Sequence, residues 1–255
     1  MDLHASASAA APAWNAWWQE ARYEFLRLWR SPSFSLPVLL FPPAFYLLFG
    51  EVFGANRDPQ AARYLLAGYG VFGVMGVALF GFGVTVAMDR EQGLLELKRA
   101  QPMPRGAWLA AKVAMAMLFS AIVVLLLGAL GAVVAGVRLA PLQWLALAAT
   151  CLLGVLPFSA LGLWLGTLVG GRGAPALINL VYLPMAFLSG LFLPLSMLPA
   201  FLQSVAPLWP AYHLARLAHL QAGVSEGVAP WRHVLVLLGV AAVFLALAHR
   251  RLARH

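Results

Sequence analysis

Residues 64–93 read YLLAGYGVFGVMGVALFGFGVTVAMDREQG. From 64 to 88 no charged side chain occurs, and then Asp89, Arg90 and Glu91 follow one another. A helix needs about 20 residues to cross a hydrocarbon core of roughly 30 Å, so this segment is long enough to span and stops sharply at charge. The rest of the chain is of the same character. Of its 255 residues 62% are hydrophobic and 10% charged, and the mean hydropathy is +0.83. Soluble domains carry about 25% charged residues, so an ordinary water-soluble protein is excluded. The single cysteine, Cys151, lies inside an apolar block, which rules out a disulfide framework or a CxxC metal knuckle within one chain.

Five more segments read as spans: 36–53, 113–137, 142–169, 175–193 and 234–248. Pro37, Pro42 and Pro43 predict a bent entry to the first, and Pro157 predicts a kink in the fourth. The last is short, and Trp231, Arg232, Arg250 and Arg251 are placed to anchor it. Six spans put both chain ends on one side. Twelve basic residues then fall on that side (Arg22, Arg27, Arg30, Arg90, Lys98, Arg99, Arg105, Lys112, Arg172, Arg250, Arg251, Arg254), against five on the other (Arg57, Arg63, Arg138, Arg216, Arg232). The positive-inside rule makes the first side cytosolic. The net charge of +8 is therefore topological and is no nucleic-acid footprint.

Residues 1–13, rich in Ala and Ser, read as a disordered cytosolic tail; Asp2 and the lack of an apolar core before the A-x-A pattern argue against a signal peptide. At 14–33 Trp14, Trp18, Ala21, Phe25 and Leu28 recur at helical spacing, with Arg22 on another face. Spanning would bury Glu20, Arg22, Glu24 and Arg27, so this helix is expected to lie in the interface, its tryptophans and arginines among the headgroups. The remainder, 34–255, forms one six-span domain with two polar interruptions, an inner loop at 89–112 and an outer segment at 194–232. The outer segment is too apolar for water and too rich in proline to span. Short helices starting near Pro199 and Pro210 would make a re-entrant hairpin, tolerable at membrane depth only where protein covers the backbone. The second helix sets His213, Arg216 and His219 along one side, toward headgroups or a pathway exit. The fold class is thus all-α and membrane-embedded.

Several chemistries are missing. A P-loop needs a Gly-Lys pair, and the only lysines, Lys98 and Lys112, follow Leu97 and Ala111. The nine acidic residues lie at span ends or in loops, unlike the mid-membrane carboxylates of ion-coupled carriers. An intramembrane serine protease would want a glycine two before its serine; Ser189-Gly190 follows Phe187-Leu188. His213 and His219 are six apart, not the i, i+4 spacing of a helical metal pair. No catalytic or metal site is expected. The inner loop reads equally as a docking element for a soluble partner or as a solvated hairpin.

Asp89-Arg90-Glu91-Gln92-Gly93, then Glu96, Pro102 and Lys112, together with residues 187–195 (FLSGLFLPL) and Pro199, Pro207 and Pro210, resemble the permease subunit of ATP-binding-cassette exporters of the type-2 class. The resemblance covers the chain from Trp14 onward; Leu94 and Ala111 depart from its usual Thr and Gly. It implies a chain without its own ATPase or cofactor, working as a homodimer with two copies of a separate ATP-binding subunit that holds ATP and Mg. Arg90, Glu91, Gly93, Glu96 and Arg105 would contact that subunit, supported by the interfacial helix with Trp14, Trp18, Arg22 and Phe25. Thr85, Asn179 and Tyr182 would line the substrate pathway. The implied location is a bacterial-type inner membrane, and the cargo an amphiphilic, lipid-linked or hydrophobic drug-like molecule. The alternative is a channel or facilitator that needs no partner. Small residues at four-residue spacing (Gly162, Gly166, Gly170; Gly128, Ala132, Gly136; Gly50, Gly54) predict close helix approach, within one chain or across a dimer seam.

Overall fold

The computed structural model describes residues 13–52, 58–100, 106–225 and 229–253, and every regular element among them is helical. The expected tail (except Ala13), Arg105 and the side chain of Trp14 lie outside what is described. In chain order the helices are α1 (Ala13–Trp29), α2 (Pro32–Val52), α3 (Pro59–Glu91), α4 (Leu94–Ala100), α5 (Ala107–Val133), α6 (Pro141–Leu153), α7 (Val155–Gly166), α8 (Ala174–Leu188), α9 (Ala200–Val205), α10 (Pro210–Gln221) and α11 (Pro230–Leu252). Five units are long and apolar enough to cross a membrane: α2, α3, α5, α6 with α7, and α11. Helix α8, with 15 residues, is apolar but shorter, about 22 Å at 1.5 Å per residue.

That length corrects the fifth expected span. Residues 175–193 are not one helix, because the chain leaves α8 after Leu188 and turns through Gly190 at φ 73°. A side chain is strained in that left-handed region and glycine is not. The Tyr64 hydroxyl holds the turn by donating to the Gly190 carbonyl and, at 3.2 Å, to that of Leu193. Other boundaries move as well. The last span, expected at 234–248 and short, is the 23-residue helix α11, which takes Trp231, Arg232, Arg250 and Arg251 into its end turns. Helices α2 and α3 start at Pro32 and Pro59, earlier than the apolar runs at 36 and 64. Helix α5 begins at Ala107, not 113, so Lys112 belongs to the helix and not to the preceding loop. The expected kink at Pro157 is a break at Gly154, one turn earlier, because proline cannot donate to the carbonyl four residues back and its ring clashes there. Prolines 37, 42 and 43 all lie inside α2.

Helix α3 is the axis of the bundle, with 83% of its most apolar window buried against 6% for α11. It starts on a sound cap, the Asp58 carboxylate accepting the Gln60 N–H at 2.9 Å with Pro59 in the first turn. Helices α2, α5, α7, α8 and α10 pack around it. The closest approach is to α7. A Cβ added at Gly166 would stand 2.4 Å from the Gly83 carbonyl oxygen, and one at Gly162 would stand 3.0 Å from that of Leu79. Two of the spaced glycines are thus used inside the chain, bringing backbones together as small residues do in membrane bundles. Large apolar side chains such as Leu125, Leu145, Leu180 and Leu238 point outward, a surface suited to hydrocarbon and not to water.

Candidate functional site

A cavity of about 790 Å³ opens between α2, α3 and α8. Its walls are mainly apolar and rich in Phe and Pro: Phe34, Phe41, Phe45, Phe72 and Phe80, with Pro37, Pro42 and Pro175. The prolines of α2 put a ridge on this wall, and Pro42 leaves the Val38 carbonyl without its helical donor. The structure brings the three expected pathway residues, Thr85, Asn179 and Tyr182, into this one cavity. Tyr182 stacks on Phe72, ring centres 4.8 Å apart, and donates to the Phe72 carbonyl at 3.1 Å. Gly76 makes room for it, since a Cβ there would lie 2.9 Å from the Tyr182 hydroxyl. Asn179 is exposed to the cavity and Thr85 is buried at its floor.

Below Thr85 lies a group that sequence reasoning missed. Lys112 of α5 is fully buried, and its Nζ donates to Thr85 Oγ1 at 2.9 Å and Glu24 Oε2 at 3.2 Å, and pairs with Asp89 Oδ2 at 3.1 Å. Arg27 of α1 donates to the other oxygen of Asp89 at 2.8 Å. Two acids and two bases from α1, α3 and α5 thus form a formally neutral quartet, with only Arg27 reaching the cavity. The expectation that Glu24 and Arg27 keep α1 among headgroups is corrected: they point into the protein, because a buried charge is tolerable once it is paired. The aromatic face of α1 is divided. Phe25 stacks on Trp29 and packs on Phe119 of α5, while Trp18 and Arg22 face outward. The one sequence signal for the quartet is the lone Lys112 beside an apolar run.

At the end of α3 a second pocket, of about 430 Å³, gathers Arg90, Glu91, Gly93 and Glu96 with residues 167–170 and Arg251. Gly93, at φ 69°, turns the chain from α3 into α4. Arg90 donates to the Gly166 carbonyl at 3.1 Å, and the Glu91 carboxylate accepts the Gly171 N–H. Both side chains therefore clasp the turn that joins α7 to α8.

At the opposite end α9 and α10 begin where Pro199 and Pro210 predict. His213 and His219 are buried and not turned to the surface. His213 lies 2.8 Å, Nδ1 to Nδ1, from His233 and 2.9 Å from the Pro207 carbonyl. His219 stacks on Tyr64, centres 4.0 Å apart, with Nε2 3.3 Å from the Tyr64 carbonyl. Burial pushes its pKa down to about 4, so it is neutral near pH 7. Among the described residues no group of three His, Cys, Asp or Glu side chains could hold a metal.

Long apolar helices around a largely apolar cavity define a multi-pass helical membrane protein. The model of the ABC-2 type transporter family matches residues 15–219. The chain belongs to that family and is a transport permease. It is 28% identical over 227 residues to the Bacillus subtilis (strain 168) protein named "Putative transport permease YvfS", an alignment covering 88% of this chain and 92% of that protein. Family membership implies, in general terms, a partner ATP-binding subunit.

Proposed function

We propose that the chain is the membrane subunit of an ATP-driven exporter in the cytoplasmic membrane of a bacterial-type cell. Two copies form the pathway, and two ATP-binding subunits, which hold ATP and Mg, dock at the Glu91 end. The cargo is an amphiphilic, lipid-linked or hydrophobic drug-like molecule. The observation that carries this reading is the 790 Å³ cavity, whose apolar walls, rich in Phe and Pro, carry a few polar groups: Thr85, Asn179 and Tyr182, with Ser31, Ser33 and Arg27. Ligand sites of this size are apolar with a few placed polar groups.

The quartet and the Glu91 clasp supply a route for force. A push on α4 reaches α3 through Gly93, the α7–α8 turn through Arg90 and Glu91, and α1 and α5 through Asp89. All of these elements border the cavity or the helices that wall it.

The test is reconstitution with the ATP-binding subunit in vesicles, reading ATP hydrolysis and export of a lipophilic fluorescent probe. Wild type is expected to couple the two. Glu91→Lys, which replaces the acceptor for the Gly171 N–H with a cation, is expected to insert normally, keep hydrolysis and lose most export. Glu91→Gln, still an acceptor, should retain part of it. Unchanged coupling in Glu91→Lys removes the lever role, and probe flux without ATP or partner would establish a channel instead.

A further inference from the structure

The transport reading makes no use of a third cavity, of about 690 Å³, at the Asp58 end. It lies between the start of α3, the turn that follows α8, and α10. Among the described residues Arg216 is the only cation lining it, and no hydrogen bond or ion pair ties the guanidinium to another of them; its Nε is buried without a partner. Ser189, 2% exposed, also lines the cavity, and its Oγ is likewise buried and unpartnered. The neighbouring groups are already engaged. His219 is neutral and turned to the Tyr64 carbonyl, the Tyr64 hydroxyl holds the α8 turn, and the Asp58 carboxylate caps α3.

Buried polar groups are nearly always satisfied, and those that are not call for an explanation. A guanidinium presents a fork of donors matched to carboxylate or phosphate oxygens, and a serine hydroxyl adds another donor. The rest of the wall, including Phe192, Leu193, Leu195 and Met197, is apolar, and Met197 is 69% exposed. We propose that this cavity binds the anionic headgroup of an amphiphile, a phosphate or carboxylate, with Arg216 and Ser189 as donors and the apolar chain along Leu193, Leu195 and Met197. A bilayer lipid and a transported single-chain molecule share this chemistry. The proposal rests on the cavity alone and not on ATP-driven export.

The test titrates the full-length protein in neutral detergent, without nucleotide or partner, and reads bound ligand by native mass spectrometry. The probes are dodecyl phosphate, phosphatidylglycerol, diacylglycerol and inorganic phosphate. Anionic amphiphiles are expected to bind well above diacylglycerol or inorganic phosphate. Arg216→Gln should weaken them by about tenfold or more, the loss of a charge-assisted hydrogen bond. Ser189→Ala should weaken them less, and Arg216→Lys should keep part of the affinity. Preference for phosphatidylglycerol identifies a bilayer lipid as the occupant, and preference for dodecyl phosphate a single-chain cargo. Equal binding of diacylglycerol, or binding of inorganic phosphate as tight as that of the amphiphiles, overturns the proposal. So does wild-type affinity in a folded Arg216→Gln. If that variant does not fold, wild-type affinity in Ser189→Ala together with loss of binding in Arg216→Lys overturns it. Because the assay needs no ATP, a failed export reading leaves its result intact.

Discussion

Lys112 shows most directly how one side chain can hold several elements. Its ammonium has an oxygen from each of three partners within 3.2 Å: Thr85 and Asp89 of α3, and Glu24 of α1. An ion taken out of water is costly, and removing one partner of a buried pair costs about 3–5 kcal/mol because the remaining charge is stranded. Lys112→Met is therefore expected to melt well below wild type in detergent, by about that free energy, because Glu24 loses the ammonium at 3.2 Å and Asp89 the one at 3.1 Å, while Arg27 stays within 2.8 Å of Asp89 and 4.0 Å of Glu24. Adding Glu24→Leu should recover part of the loss, since apolar replacement of a whole buried pair is often close to neutral. A single variant that melts like wild type would remove the quartet from the account of stability. Beyond the lone lysine beside an apolar run, none of this was legible locally. Glu24 and Lys112 are 88 positions apart; by themselves Glu24 reads as a headgroup-facing charge of the interfacial helix and Lys112 as the end of the inner loop.

At the scale of helices, the spacing of Gly162 and Gly166 announced a close approach, and the structure identifies the partner as α3 of the same chain. The obstacle to a side chain at Gly166 is a backbone oxygen, which cannot swing aside as a rotamer can. Gly166→Ala should push α7 off α3 and cost about 1–3 kcal/mol, seen as a lower melting temperature and a poorer yield of folded protein. Gly128→Ala is the control. Its new methyl would meet only a Trp144 ring carbon at 3.5 Å, ordinary contact, and its stability should stay near wild type. Equal melting of the two variants would show that the α3–α7 contact is looser than described. Helix ends were legible where proline sets them, as at Pro199 and Pro210. They were misplaced at Ala107 and Leu188, where the apolar pattern does not coincide with the end of hydrogen bonding.

For the whole molecule, the bias of basic residues predicts which end faces the cytosol. In a Cys151→Ala background, Gln92→Cys should react with an impermeant maleimide only after the membrane is opened, while Ser196→Cys should react in intact spheroplasts. Both positions are exposed, so a reversed pattern would invert the orientation and with it the proposed direction of transport.

The sequence by itself determined the class of solvent this chain folds in, its helical content, the approximate positions of the apolar segments and the two polar interruptions. Those follow from composition and local pattern, since a bilayer demands about 20 apolar residues per crossing and satisfied backbone groups throughout. Only the tertiary structure decided which side chains share an environment. It joined Thr85, Asn179 and Tyr182 in one cavity, turned Glu24 and Arg27 inward onto Asp89 and Lys112, and set Arg216 Nε and Ser189 Oγ along another cavity with no partner among the described residues. Charge pairing and burial depend on distance in space, and residues far apart in the chain carry no local mark of the neighbour that will neutralise them.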